Sequence, residues 1–216
     1  MYERKFMMTV EENVFWAKRN LADYIWKSAN LEGIAVTFPE TQTVLEGVSV
    51  GGKRIDDLNR ILQMKRGWQY LLSTLEEDVT MQYLQTLYQE SISPTCFRGD
   101  PGHKDTCLSP VRNLEETEAS LRRILDGDSG WTEKALDLML YLAKERPFSD
   151  GNKRIAMMAA NKVLISNGCG ILSVSQDDLE QFFTLLVAYY EDESKKEELK
   201  LFLYDKCLDG FRKSVA

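Results

Sequence analysis

The chain has 216 residues, 44% of them apolar, and a formal charge of −7, enough length and apolar content for one domain with a full core. The acidic balance argues against a nucleic-acid partner, which would need a basic face. No stretch approaches the roughly 18 apolar residues of a membrane span, and the start, Met1-Tyr2-Glu3-Arg4-Lys5-Phe6, lacks the apolar core of a secretory leader, so a cytoplasmic chain without a membrane partner is expected.

In chain order, Val14, Phe15, Ala17, Leu21, Tyr24 and Ile25 recur at three- and four-residue spacing and predict one long helix over 11–30. Thr37-Phe38-Pro39-Glu40 is a capping box with proline in the first turn, opening a short helix that stops near Gly47. Residues 55–75 and 81–88 repeat the helical pattern through Leu58, Ile61, Leu62, Trp68 and Leu71, then again more briefly. Over 91–112 the pattern dissolves into Ser, Pro, Gly, Asp and Thr, which predicts an exposed loop or small hairpin.

Trp131, Ala135, Leu138, Met139 and Leu142 share one stripe, so residues 131–144 form an amphipathic helix that ends before Pro147. Residues 155–165 are apolar except at Asn161 and Lys162, the mark of a helix enclosed by protein. Ser175-Gln176-Asp177-Asp178 is a second capping box, leading into a helix through Phe182, Phe183, Leu186 and Tyr190, and residues 197–207 form the last helix. No strand run, repeat or linker stands out. The expectation is a single all-α domain over 1–216 with a central buried helix. Cys96, Cys107, Cys169 and Cys207 are too dispersed for a disulfide scaffold and are expected as free thiols.

The residues that carry chemistry are Arg146-Pro147-Phe148-Ser149-Asp150-Gly151-Asn152-Lys153-Arg154, between an amphipathic helix and a buried one. Amides at the start of a helix, with the positive end of its dipole, favour phosphate, and Gly151 lets the backbone come close. Asp150 supplies a hard oxygen for Mg²⁺, and Lys153 and Arg154 add cationic donors. On spacing alone an Asp-Gly-Asn turn before a helix is more often plain turn chemistry.

These residues resemble the Fic signature, His-Pro-Phe-x-Asp/Glu-Gly-Asn-Gly/Lys-Arg, at eight of nine positions. The resemblance implies a Fic-type helical domain with a flap at 91–112 and a nucleotide loop at 146–154. It also implies transfer of AMP from ATP to a protein hydroxyl. By position, Asp150 holds Mg²⁺, while Phe148, Gly151, Asn152, Lys153 and Arg154 bind the nucleotide. Upstream, Ser28-Ala29-Asn30-Leu31-Glu32-Gly33 is similar to the family's inhibitory helix pattern, Ser/Thr-x-x-x-Glu-Gly/Asn, so 11–33 is expected to present Glu32, with Ser28 and Gly33, to the nucleotide site. The same six residues also read as an ordinary helix end with a glycine stop.

The sequence departs from the family at its histidine. Arg146 occupies that catalytic position, and a guanidinium has no acceptor and a pKa above about 12, so it cannot take a proton from the target hydroxyl. Losing a general base costs about 10² to 10⁴ in rate, which predicts slow or absent transfer. Where adenylylating members carry a second arginine for the γ-phosphate there is Met157, so any restraint by Glu32 must act through Arg154, Lys153 or Arg146. Lys153 is similar to the Doc branch, which transfers phosphoryl groups. A Doc-like phosphotransferase and a non-catalytic regulatory module therefore stand as alternatives. The lone histidine, His103, reads as a solvated loop residue, and Cys96, His103 and Cys107 fit no common zinc spacing. Met139, Met157 and Met158 read as core. The target protein is not legible, and a homodimer is allowed.

Overall fold

The computed structural model describes residues 2–92 and 114–211. Its centre is α8 (Asn152–Ser166), in which every residue except Lys153 and Ser166 is buried. Around it lie α1 (Val10–Arg19), α2 (Leu21–Leu31), α3 (Phe38–Leu45), α4 (Ile55–Ser73), α5 (Met81–Ser91), α6 (Leu114–Leu125) and α7 (Trp131–Glu145). Strand β1 (Ile171–Leu172) then leads to α9 (Leu179–Glu191) and α10 (Lys196–Phe202), and the chain widens into one π-helical turn before strand β2 (Leu208–Asp209). The fold is all-α apart from this two-residue antiparallel ladder, in which Ile171 faces Asp209 and Leu172 faces Leu208. Two-residue strands are too short to leave an alternating pattern in a sequence. Among the described residues no helix is long and apolar enough to cross a membrane.

The expected helix over 11–30 is two helices. Asn20 breaks it at φ −104°, ψ 14°, and its side-chain amide donates to the Trp16 carbonyl at 3.0 Å, the local competition for which asparagine is poor inside helices. Capping boxes at Thr9 with Glu12 and at Thr37 with Glu40 fix the starts of α1 and α3, each cap worth about 1 kcal/mol. The box expected at Ser175 is only half formed: the Ser175 hydroxyl accepts the Asp178 N–H at 3.3 Å and donates to the Asp178 carboxylate at 2.6 Å, closing a turn, and α9 begins later, at Leu179, with no side-chain cap. Helix α6 has only a narrow apolar stripe, but its acids stand in the first turn and its bases in the last, as a helix dipole favours. The flap expected over 91–112 lies almost wholly outside the described residues, as do Cys96, His103 and Cys107; Cys169 and Cys207 are buried and free.

Three polar ties position the N-terminal helices. Asn13 exchanges two hydrogen bonds with the backbone of Gly170, at 2.8 and 3.2 Å. Asp209 accepts from the Trp16 indole at 3.2 Å and the Tyr24 hydroxyl at 2.5 Å. Tyr24 also stacks on Trp68 of α4 with ring centroids 5.7 Å apart. The end of α2 is thereby fixed against α4 and the last strand.

Within α8, Asn161 bonds both backbone groups of Leu172, at 2.6 and 2.8 Å, which ties β1 to the central helix. Lys162 is 2% exposed; its amine donates to the carbonyl of Thr74, at the C-terminal end of α4, and lies 4.7 Å from the centre of the Tyr83 ring. Burial lowers its pKa from 10.5 to about 8, with Glu77, Asp78 and Glu76 pulling it back. The unfolded chain therefore binds this proton more tightly, so the charging penalty is complete below about pH 8 and fades toward the unfolded value, making stability rise with pH in that window. The buried thiol of Cys207, raised by burial from 9.0 to about 12, opposes this only above its ordinary value. The urea midpoint of the wild type is expected to rise relative to that of Lys162→Met between about pH 8 and 10.5; a difference that does not move with pH would refute the shift.

Candidate functional site

Helix α7 ends at Arg146, which takes the left-handed conformation at φ 50°, ψ 59° and donates its N–H to the Leu142 carbonyl at 3.1 Å. It is the one non-glycine residue with positive φ among those described, a conformation that costs an ordinary side chain about 1 to 2 kcal/mol. Pro147 and Phe148 then bury themselves, and the Phe148 ring stacks on Tyr88 at 4.6 Å and 11°. Asn152 closes the loop, its side-chain oxygen accepting the Phe148 N–H at 2.9 Å and its amide donating to the Phe148 carbonyl at 2.7 Å. Gly151 turns the chain into α8 at φ +65°, and a Cβ there would lie 2.0 Å from Cδ1 of Ile92. Both the backbone conformation and the close neighbour require glycine.

Asp150 is exposed, and its Oδ1 accepts the Gly151 N–H at 2.7 Å. The first bond of α8 runs from Ile155 N–H to the Gly151 carbonyl, so the amides of Asn152, Lys153 and Arg154 carry no backbone bond among the described residues. Gly151, Asn152 and Lys153, at the start of the helix, line a cavity of about 310 Å³. Its polar lining includes Glu32, Arg60, Arg146, Asp150 and Lys153, and its apolar wall comes from α9 through Phe183, Leu186, Val187 and Tyr190. Lys153 reaches over the Phe183 ring at 5.6 Å. The Tyr190 hydroxyl donates to the Ala143 carbonyl at 3.0 Å; burial raises its pKa, and the charge of Arg146 partly offsets that.

Glu32 arrives from the N-terminal helices. It stands at the end of α2, where Gly33 at φ +74° donates to the Asn30 carbonyl and Ile34 to the Ala29 carbonyl, each at 2.9 Å. This glycine-stopped helix end aims the Glu32 carboxylate at Arg154. Nε of Arg154 donates to Oε1 at 2.7 Å, a second guanidinium nitrogen bonds Oε2, and a third bonds the Ser91 carbonyl. The Arg154 side chain is 4% exposed and that of Glu32 15%, so the pair is nearly dry.

The structure thus brings Glu32, Arg146, Asp150, Gly151, Asn152 and Lys153 to one cavity, with Arg154 beneath it. Phe148, expected at the nucleotide, is 2% exposed and anchors the loop to α5 instead, while the side chain of Asn152 shapes the loop. Ser28 gives its carbonyl to the Glu32 N–H and does not line the cavity, and Gly33 acts through the turn alone. Met139, Met157 and Met158 are buried in the core. Sequence reasoning missed Arg60 and the apolar wall of α9. An exposed arginine on a surface helix carries no local signal, and Phe183, Leu186 and Tyr190 read there only as a core-facing stripe.

Among the described residues no three acids, histidines or cysteines gather to hold a metal. One exposed carboxylate beside open amides fits Mg²⁺ carried in with phosphate oxygens, since that ion needs only one or two protein carboxylates.

A helical frame around a buried helix, with this loop at its head, is that of a Fic-type domain. Residues 73–164 match the Fic/DOC family. Protein adenylyltransferase Fic of Culex quinquefasciatus is 20% identical over 184 residues, which cover 78% of this chain and 37% of that protein, so the chain spans little more than a third of its curated relative. A Fic domain-containing signaling protein from Bacteroides thetaiotaomicron superposes with a TM-score of 0.69 at 19% identity, covering 91% of this chain and 86% of the other. Fic-1 from C. elegans superposes at 0.70 and 16% identity, over 89% of this chain and 62% of the other. Over these residues the chain is similar in sequence to a protein adenylyltransferase and similar in fold to Fic-domain structures.

Proposed function

We propose that this chain binds ATP with Mg²⁺ at the loop 146–154 and descends from protein adenylyltransferases, with transfer muted twice: by Glu32, which occupies Arg154, and by Arg146, which cannot act as a base. The observation that carries the reading is the cavity at the head of α8, where the first residues of that helix and three cations line one space with an apolar wall. In this reading the amides of 152–154 meet phosphate, the wall of Phe183, Leu186, Val187 and Tyr190 meets the base, and Asp150 holds Mg²⁺, which neutralises phosphate charge when bound. The target hydroxyl attacks the α-phosphorus, pyrophosphate leaves, and the proton has no acceptor in Arg146. That arginine favours a second reading, a nucleotide-responsive regulatory module without transfer.

Titration calorimetry with ATP and Mg²⁺ tests the seat. Glu32→Gly is expected to bind, and adding Asp150→Ala is expected to weaken binding by about tenfold or more. Equal heats with and without Asp150 would remove that residue from the site. Label from α-phosphate appearing on protein indicates adenylylation, label from γ-phosphate a Doc-like phosphotransferase, and neither, with binding intact, the regulatory module.

A further inference from the structure

The cavity at the head of α8 holds more positive charge than its acids use. Glu32 is committed to Arg154, and Asp150 accepts the neighbouring Gly151 N–H. Arg60 from α4, Arg146 from the end of α7 and Lys153 from the first turn of α8 line the same space, and none of them has an ion-pair partner among the described residues. They enter from three separate elements, so a ligand at the amides is flanked rather than touched on one side. One turn further along α8, Met157 is 5% exposed and offers a ligand no charge. Beyond Arg154, once Glu32 releases it, and any Mg²⁺ held at Asp150, the cations within the cavity for the far end of a polyphosphate are those three side chains.

Building on the reading of this cavity as a nucleotide seat, we infer that Arg60, Arg146 and Lys153 form a cationic collar for the terminal phosphates, and that the site selects its ligand by phosphate number. The two guanidinium groups present planar forks that match phosphate oxygens, and the lysine adds a point charge. The apolar wall meets the same base in a mono-, di- or triphosphate and cannot distinguish them. Discrimination therefore falls to the collar, which favours triphosphate over diphosphate over monophosphate and accepts inorganic tripolyphosphate without any base. In this arrangement Arg146 is a phosphate ligand in the place where a base would stand.

The experiment is calorimetry on the Glu32→Gly chain with AMP, ADP, ATP and tripolyphosphate, each with Mg²⁺. Affinity is expected to rise about tenfold with each added phosphate, and Arg60→Gln to weaken ATP and tripolyphosphate about tenfold while moving AMP by less than about twofold. Salt should weaken ATP more than AMP, because more charge pairs are screened. Equal losses for AMP and ATP on Arg60→Gln, or no loss, would overturn the collar and leave the nucleotide seat standing. Failure of all four ligands to bind would overturn the seat and the collar together.

Discussion

Replacing Glu32 by glutamine is expected to lower the stability of the chain by about 3 kcal/mol while raising its affinity for ATP about 10- to 100-fold. The two effects have one origin. A carboxylate that is 15% exposed meets a guanidinium that is 4% exposed, and the neutral amide leaves that guanidinium charged, buried and held only by the Ser91 carbonyl among its present partners. Removing one partner of a buried pair is costly because of the charge left behind, not because the pair itself was worth so much. For a chain of 216 residues the loss corresponds to a melting temperature lower by about 6 to 12 °C. The same guanidinium becomes available to a phosphate, so ligand at about a hundred times its dissociation constant should return about 2.7 kcal/mol. Thermal melts of both chains, with and without ATP and Mg²⁺, read both effects. Unchanged melting together with unchanged affinity would sink the restraint; a loss of stability without a gain in affinity would make the pair purely architectural.

Arg146→His, made in a Glu32→Gly chain, is expected to raise α-phosphate transfer by about 10² to 10⁴ over the Glu32→Gly chain alone. Histidine tolerates the left-handed backbone at this position better than most residues, so the loop should keep its shape, with φ near the present 50°. An imidazole there would supply the missing acceptor, and transfer should rise with pH through about 6.5 as it loses its proton. Labelling with ATP carrying the isotope in its α-phosphate, followed across pH, checks both statements. If the chain with Arg146 labels as fast as the variant, another group takes the proton and Arg146 is no obstacle.

Much of this molecule was legible because helical periodicity is a local property. The enclosed helix declared itself through its nearly unbroken apolar run, the cap at Thr37 through residue type and spacing, and the loop through nine consecutive residues. What was not legible is what depends on distant contacts. The break at Asn20 turns on one side chain choosing a carbonyl four residues back. The partner of Glu32 could be narrowed to three cations, and only the approach of α2 to α8 singles out Arg154. Arg60 and the wall on α9 belong to the cavity because helices far apart in sequence converge there.

Asp209 gathers the Trp16 indole and the Tyr24 hydroxyl at the far end of the helix that carries Glu32. Helix α2 is thus tied at one end to the C-terminal strand and at the other, through Glu32, to the central helix, so the placement of the carboxylate in the cavity depends on contacts at both ends.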